Sequence, residues 1–253
     1  MKKLLMIVMS LTLAVGLWAQ QTKQPRPKSQ KEAEALMSIF NAQDADGRIN
    51  AAKNLIQKFA DTEFKVVALQ IIAQSYQEKN DFENMVSFAE ETLKADSKNY
   101  AAMLMLASGY SQRTREHDFD KEEKLQTATK QATAALEVLK TAPKPRPDID
   151  DATWENAKKD FAAQAHESLG LVAMVRKKFD DAAKEFKTAV ETGATPDPST
   201  KVRLAAALNG AGNFDEAIKV LDPLLADTNL NPTIRQFAGQ EKLKAVTERA
   251  KKK

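Results

Sequence analysis

The chain has 253 residues, 43% of them hydrophobic and 29% charged, which is enough apolar material for a packed core. Its 38 basic and 35 acidic residues are interleaved and leave a formal net charge of +3, so the clustered Lys and Arg footprint of a nucleic-acid binder is missing. It has no cysteine, which excludes disulfides, thiolate metal sites and a cysteine-linked lipid anchor, and its 8 Gly and 9 Pro favour a mostly helical protein.

Residues 1–19, MKKLLMIVMSLTLAVGLWA, open with Lys2 and Lys3 and continue in an apolar run from Leu4 to Trp18. That run is 15 residues, short of the roughly 20 that span a bilayer. With the small Ala19 behind it, the segment resembles a secretory signal peptide. Leu17 stands where a small residue is preferred, and an uncleaved anchor that tethers the protein to a membrane is the alternative reading. Cleavage leaves a near-neutral, exported, periplasmic protein with no membrane insertion. Residues 20–30, with Pro25 and Pro27, read as a disordered linker.

A first block of helix pairs is expected over 31–140. Ile39, Ala51, Leu55 and Phe59 keep a helical spacing. DADGR at 44–48 looks like the start of a calcium loop, but the twelfth position from Asp44 is Leu55, so a turn and helix cap are expected instead. Leu69, Ile72, Ala73 and Tyr76 mark one apolar helix face, and Phe82, Met85, Ala89 and Leu93 mark its partner. Met103, Leu106, Ala107 and Tyr110 repeat the first face 34 residues later. The second helix of that unit, carrying Leu125, Ala128, Ala132 and Ala135, is displaced by an insertion of about nine residues near 112–124. Pro143, Pro145 and Pro147 make 141–150 a stiff, extended linker.

A second block is expected over 151–230, opening with a long helix from Asp151 to Val175. His166, Leu169, Gly170 and Ala173 precede Phe179, Ala182, Phe186 and Ala189. The same pattern recurs 35 residues later, as Phe214, Ala217, Leu221 and Leu224 show against the latter four. Pro223 should kink its helix. Residues 231–253 start with an Asn231–Pro232 cap and read as a helix closing the stack, with Lys251, Lys252 and Lys253 as a solvated tail.

A fixed interval near 35 residues with one small residue at a constant place (Ala73, Ala107, Gly170, Ala205) resembles the tetratricopeptide repeat family. SLGLVAMVRKKFDDAAKEFKTAV (168–190), RLAAALNGAGNFDEAIKVL (203–221) and ALQIIAQSYQEKNDFENMVSFAEETLKAD (68–96) carry the resemblance, which covers most of 32–226. It implies an all-α, right-handed superhelical solenoid of antiparallel helix hairpins. It further implies a non-catalytic scaffold of the cell envelope that holds a protein or peptide segment in its concave groove. Transferred by register, the groove positions are Gln70, Gln74 and Gln77, Leu104, Ser108 and Ser111, Glu167, Leu171 and Met174, and Val202, Ala206 and Asn209.

Catalytic patterns are sparse. The chain has two histidines, His117 in a charged insertion and His166 at a packing position, without metal-ligand spacing, so neither a metal nor a cofactor is expected. Asp180 and Asp181 sit at a helix start, where the dipole favours them. The competing reading is an enzyme or small-ligand binder using Asp148, Asp150 and Asp151 beside the proline stretch. No Gly-rich phosphate loop or nucleophile elbow is present.

Overall fold

The computed structural model describes residues 25–252, which form eleven α-helices and no strand. The signal-like segment at 1–19 and the start of the linker at 20–24 lie outside the described residues. The helices are α1 (Gln30–Asn41), α2 (Ala45–Lys58), α3 (Lys65–Glu78), α4 (Phe82–Ala95), α5 (Tyr100–Arg113), α6 (Lys121–Thr141), α7 (Asp151–Val175), α8 (Phe179–Thr192), α9 (Pro198–Gly210), α10 (Phe214–Ala226) and α11 (Pro232–Lys251). Each packs on its neighbours in sequence, and odd-numbered helices also meet one another (α3 with α5, α5 with α7, α9 with α11). The result is a solenoid in which hairpins stack and bury faces that one hairpin cannot bury alone.

Local chemistry sets the helix starts. Asp44, Asp81, Asn99, Asp150, Asp197 and Asn231 are N-caps whose side chains each accept a backbone N–H of the first turn. DADGR is thus a turn and cap, with Gly47 N–H donating to Asp44 Oδ1 at 2.7 Å. Asp180 and Asp181 lie in the first turn of α8, as their sequence position indicated. Three hairpins turn in the same way. Asn80, Lys177 and Gly212 have φ of 57°, 57° and 78°, and the next residue donates its N–H back to the helix, Asp81 to Tyr76 O, Lys178 to Ala173 O and Asn213 to Leu208 O. This is a Schellman closure, which satisfies carbonyls that the helix end would leave open.

The core runs along the stack. Ala73, Ala107 and Ala205 are fully buried, and a Cβ on Gly170 would lie 2.6 Å from Phe186 Cε1. The helix backbones therefore approach each other at the place where the repeat keeps a small residue.

The middle of the stack departs from the regular unit. Helices α3, α4, α5 and α8 have 14 residues each, but α6 has 21 and α7 has 25. The insertion becomes a loop at 114–120 together with extra turns of α6. Trp154, in the added part of α7, is 6% exposed and donates from Nε1 to Ala142 O at 3.1 Å. It packs with Tyr100 and Phe161, at ring-centroid distances of 6.2 and 6.5 Å. The proline stretch between α6 and α7 separates no bodies. Met103 and Leu104 of α5, Ala132 and Ala135 of α6 and Ala165 of α7 form one core cluster across it. The described part of the expected linker is also docked: Arg26 N–H donates to Glu63 and Lys28 Nζ to Asp61 Oδ2 at 2.7 Å. Among the described residues no helix is long and apolar enough to cross a membrane.

Candidate protein-binding surface

The odd-numbered helices carry the surface that the register assigned to a groove. Gln74 and Gln77 are exposed on α3, and Gln70 is half-buried, accepting from Asn99 Nδ2 at 3.1 Å. On α7, Glu167 is half-buried and tied to α9, pairing with Arg203 and accepting from Thr200 Oγ1 at 3.0 Å. Leu171 and Met174 are half-buried against the cluster that holds Phe186. Val202 and Ala206 are half-buried on α9.

Four positions are not on the surface. Leu104, Ser108 and Ser111 of α5 are 2%, 5% and 2% exposed. Helix α5 touches α3, α4, α6 and α7, so every residue from Ala102 to Ser108 is buried. Its sequence YAAMLMLASGY is apolar nearly all round, the mark of an enclosed helix. Register transfer assumed a free face that this helix lacks. Asn209 is 4% exposed because α11 lies over it: Asn209 Nδ2 donates to Glu241 O at 3.0 Å and Glu241 Oε2 at 2.8 Å.

The structure extends two register positions, Val202 and Ala206, into a cleft whose other wall, α11, the register did not include. A cleft of about 390 Å³ opens between α9 and α11, with Val202, Ala206, Ile234 and Phe237 as its apolar lining and Arg203 and Glu241 at its edges. Phe237 is 53% exposed. The signal for it was present in sequence: Asp197–Pro198 recurs as Asn231–Pro232 after 34 residues, so α11 is itself the first helix of a further unit rather than only a cap. In a regular stack such a helix lines the groove.

The remaining polar groups are engaged structurally. Asp150 caps α7 and is held below the usual carboxylate range by hydrogen bonds from Thr153 Oγ1 and the Thr153 N–H. Asp148 pairs with Arg146 and Asp151 with Lys144, all in open solvent. His166 Nδ1 lies 2.8 Å from Glu185 Oε2, joining α7 to α8. Among the described residues no three His, Asp or Glu side chains gather into a metal-binding group. What the arrangement offers is an apolar cleft with polar edges, suited to holding a chain segment.

A thermophilic tetratricopeptide repeat protein of Thermus thermophilus superposes on this structure with a TM-score of 0.55 at 16% identity, covering 84% of this chain and 99% of its own. The chain has the tetratricopeptide repeat fold. The MamA protein, another solved structure, superposes with a TM-score of 0.54 at 15% identity, covering 85% of this chain and 94% of its own. No family model matches the sequence, and no curated protein matches it either. Tetratricopeptide repeats are defined by packing positions, and this sequence keeps the small residue among them (Ala73, Ala107, Gly170, Ala205).

Proposed function

We propose that this tetratricopeptide repeat protein is a non-catalytic scaffold, exported to the cell envelope, that holds a protein segment in the groove of its first helices. The observation that carries this reading is the cleft between α9 and α11, where an exposed phenylalanine stands beside Val202, Ala206 and Ile234. An exposed aromatic in a concave apolar site flanked by one cation and one carboxylate is the composition of a peptide-anchoring pocket. The exposed amides Gln74 and Gln77 extend the same reading along α3, where they offer hydrogen bonds to an extended backbone. Export rests on the signal-like residues 1–19.

The test is in-cell cross-linking of the native protein, followed by recovery of its partners with the Phe237→Glu variant. Phe237 is exposed, so the change should shift folding stability by only about 0.5 kcal/mol. A new carboxylate in the apolar cleft must be desolvated on binding, so partner recovery should fall at least about tenfold. Undiminished recovery of every partner would show that the cleft is not the binding surface. An intact Met1 in the mass of the captured protein would replace the cleaved signal by the uncleaved membrane anchor.

A further inference from the structure

Helix α11 repeats α9 closely enough to compare position by position. Asn231–Pro232 follows Asp197–Pro198 by 34 residues, each with a capping side chain and Pro at the helix start. By the same step Leu204 corresponds to Ala238, and both are buried. Ala205 then corresponds to Gly239.

In the earlier units this small residue is covered by the second helix of its own hairpin. A Cβ on Gly170 would lie 2.6 Å from the ring of Phe186 on α8, and Ala205 is fully buried in a cluster with Leu221 of α10. At Gly239 an added Cβ meets nothing within 4 Å. Leu243 and Val246, four and seven residues further along, share that side and are 69% and 40% exposed. Among the described residues α11 packs chiefly on α9 and α10. It is a first helix whose second-helix side is open. That side is not the cleft: Phe237 and Leu243 are six residues apart, roughly 240° around the helix.

We infer that the Gly239–Leu243–Val246 face binds an amphipathic α-helix of a partner protein, seated antiparallel to α11 in the place of a second helix. Two features define the partner's chemistry. It carries a bulky apolar residue over Gly239, as Phe186 stands over Gly170. It also opens with acidic residues, as the second helices within this chain do: Asp180 and Asp181 on α8, Asp215 and Glu216 on α10. The site continues an interface that the stack already builds between α7 and α8 and between α9 and α10.

The probe is a labelled peptide of residues 179–192, which carries the α8 face with Phe179 and Phe186 and opens with Asp180 and Asp181. Titrated with the full chain, it should bind saturably, read by fluorescence anisotropy. Leu243→Glu should weaken binding at least about tenfold, and Gly239→Leu should do the same by filling the space that Phe186 enters. Phe237→Ala should leave peptide binding unchanged, which separates this face from the proposed cleft. Leu243 is exposed and an added Cβ at Gly239 meets nothing, so neither face variant should lower the melting temperature. Three results each overturn the inference: no saturable binding up to about 1 mM, binding that ignores Leu243→Glu, or a Leu243-dependent dimer that the peptide fails to dissociate.

Discussion

Gly170 is the clearest single position in the sequence and in the structure. Its place in the repeat marked a close helix approach, and the Phe186 ring stands where its Cβ would be, at 2.6 Å. Gly170→Leu should therefore force α7 and α8 apart, at about 1–3 kcal/mol or more, read as a lower melting temperature. The hairpin turns were less legible. The sequence showed short polar joints but not that Asn80, Lys177 and Gly212 share one left-handed conformation, because side chains as different as Asn, Lys and Gly occupy it. Gly alone adopts that conformation without steric cost. Gly212→Ala should lose about 1 kcal/mol, whereas Lys177→Gly should lose nothing, since it relieves the same strain at the equivalent turn. Chemical denaturation of the two variants checks the contrast; equal losses would mean that the turn conformation does not govern stability.

At the scale of the helix, α5 and α7 show where a repeat pattern stops being informative. The long helix from Asp151 to Val175 was visible in sequence because its apolar spacing runs without a break. The burial of Trp154 was not, because it depends on Tyr100 and Ala142, which reach it only through the fold. For α5 the composition carried the right message and the register the wrong one: a helix reading YAAMLMLASGY has no polar face to offer a ligand. Ser108 is thus a structural residue. A Glu at this 5%-exposed site would bury a carboxylate on a helix that α3, α4, α6 and α7 enclose. Such a charge costs several kcal/mol unless partnered. Ser108→Glu should unfold or strongly destabilise the protein in circular dichroism melts, whereas Gln74→Glu on exposed α3 should shift it by about 0.5 kcal/mol or less. Equal melting of the two would place Ser108 on the surface after all.

At the scale of the whole molecule, the question is whether the proline stretch divides the stack. Three prolines within 141–150 suggested a spacer between two blocks. A stiff connector need not be a boundary, because coupling in a solenoid passes through the faces that adjacent helices share. Here those faces bridge the stretch twice. Met103 and Leu104 meet Ala132, Ala135 and Ala165 in one cluster, and Leu125 and Ala128 meet Val172 in another. The arrangement predicts a stack that unfolds as a single unit although its connector is irregular. Replacing Pro143, Pro145 and Pro147 together by Ser should leave one cooperative calorimetric transition. Its midpoint should fall only modestly, since each proline contributes chiefly by restricting the unfolded chain, about 0.4–1 kcal/mol apiece. Leu104→Ala, by contrast, removes a buried side chain from the bridging cluster at about 2–5 kcal/mol. If the bridge carries the coupling, that variant should split the transition or broaden it while the serine variant does not. Two separate transitions in the parent protein would mean that the halves fold independently and that the proline stretch is a true boundary.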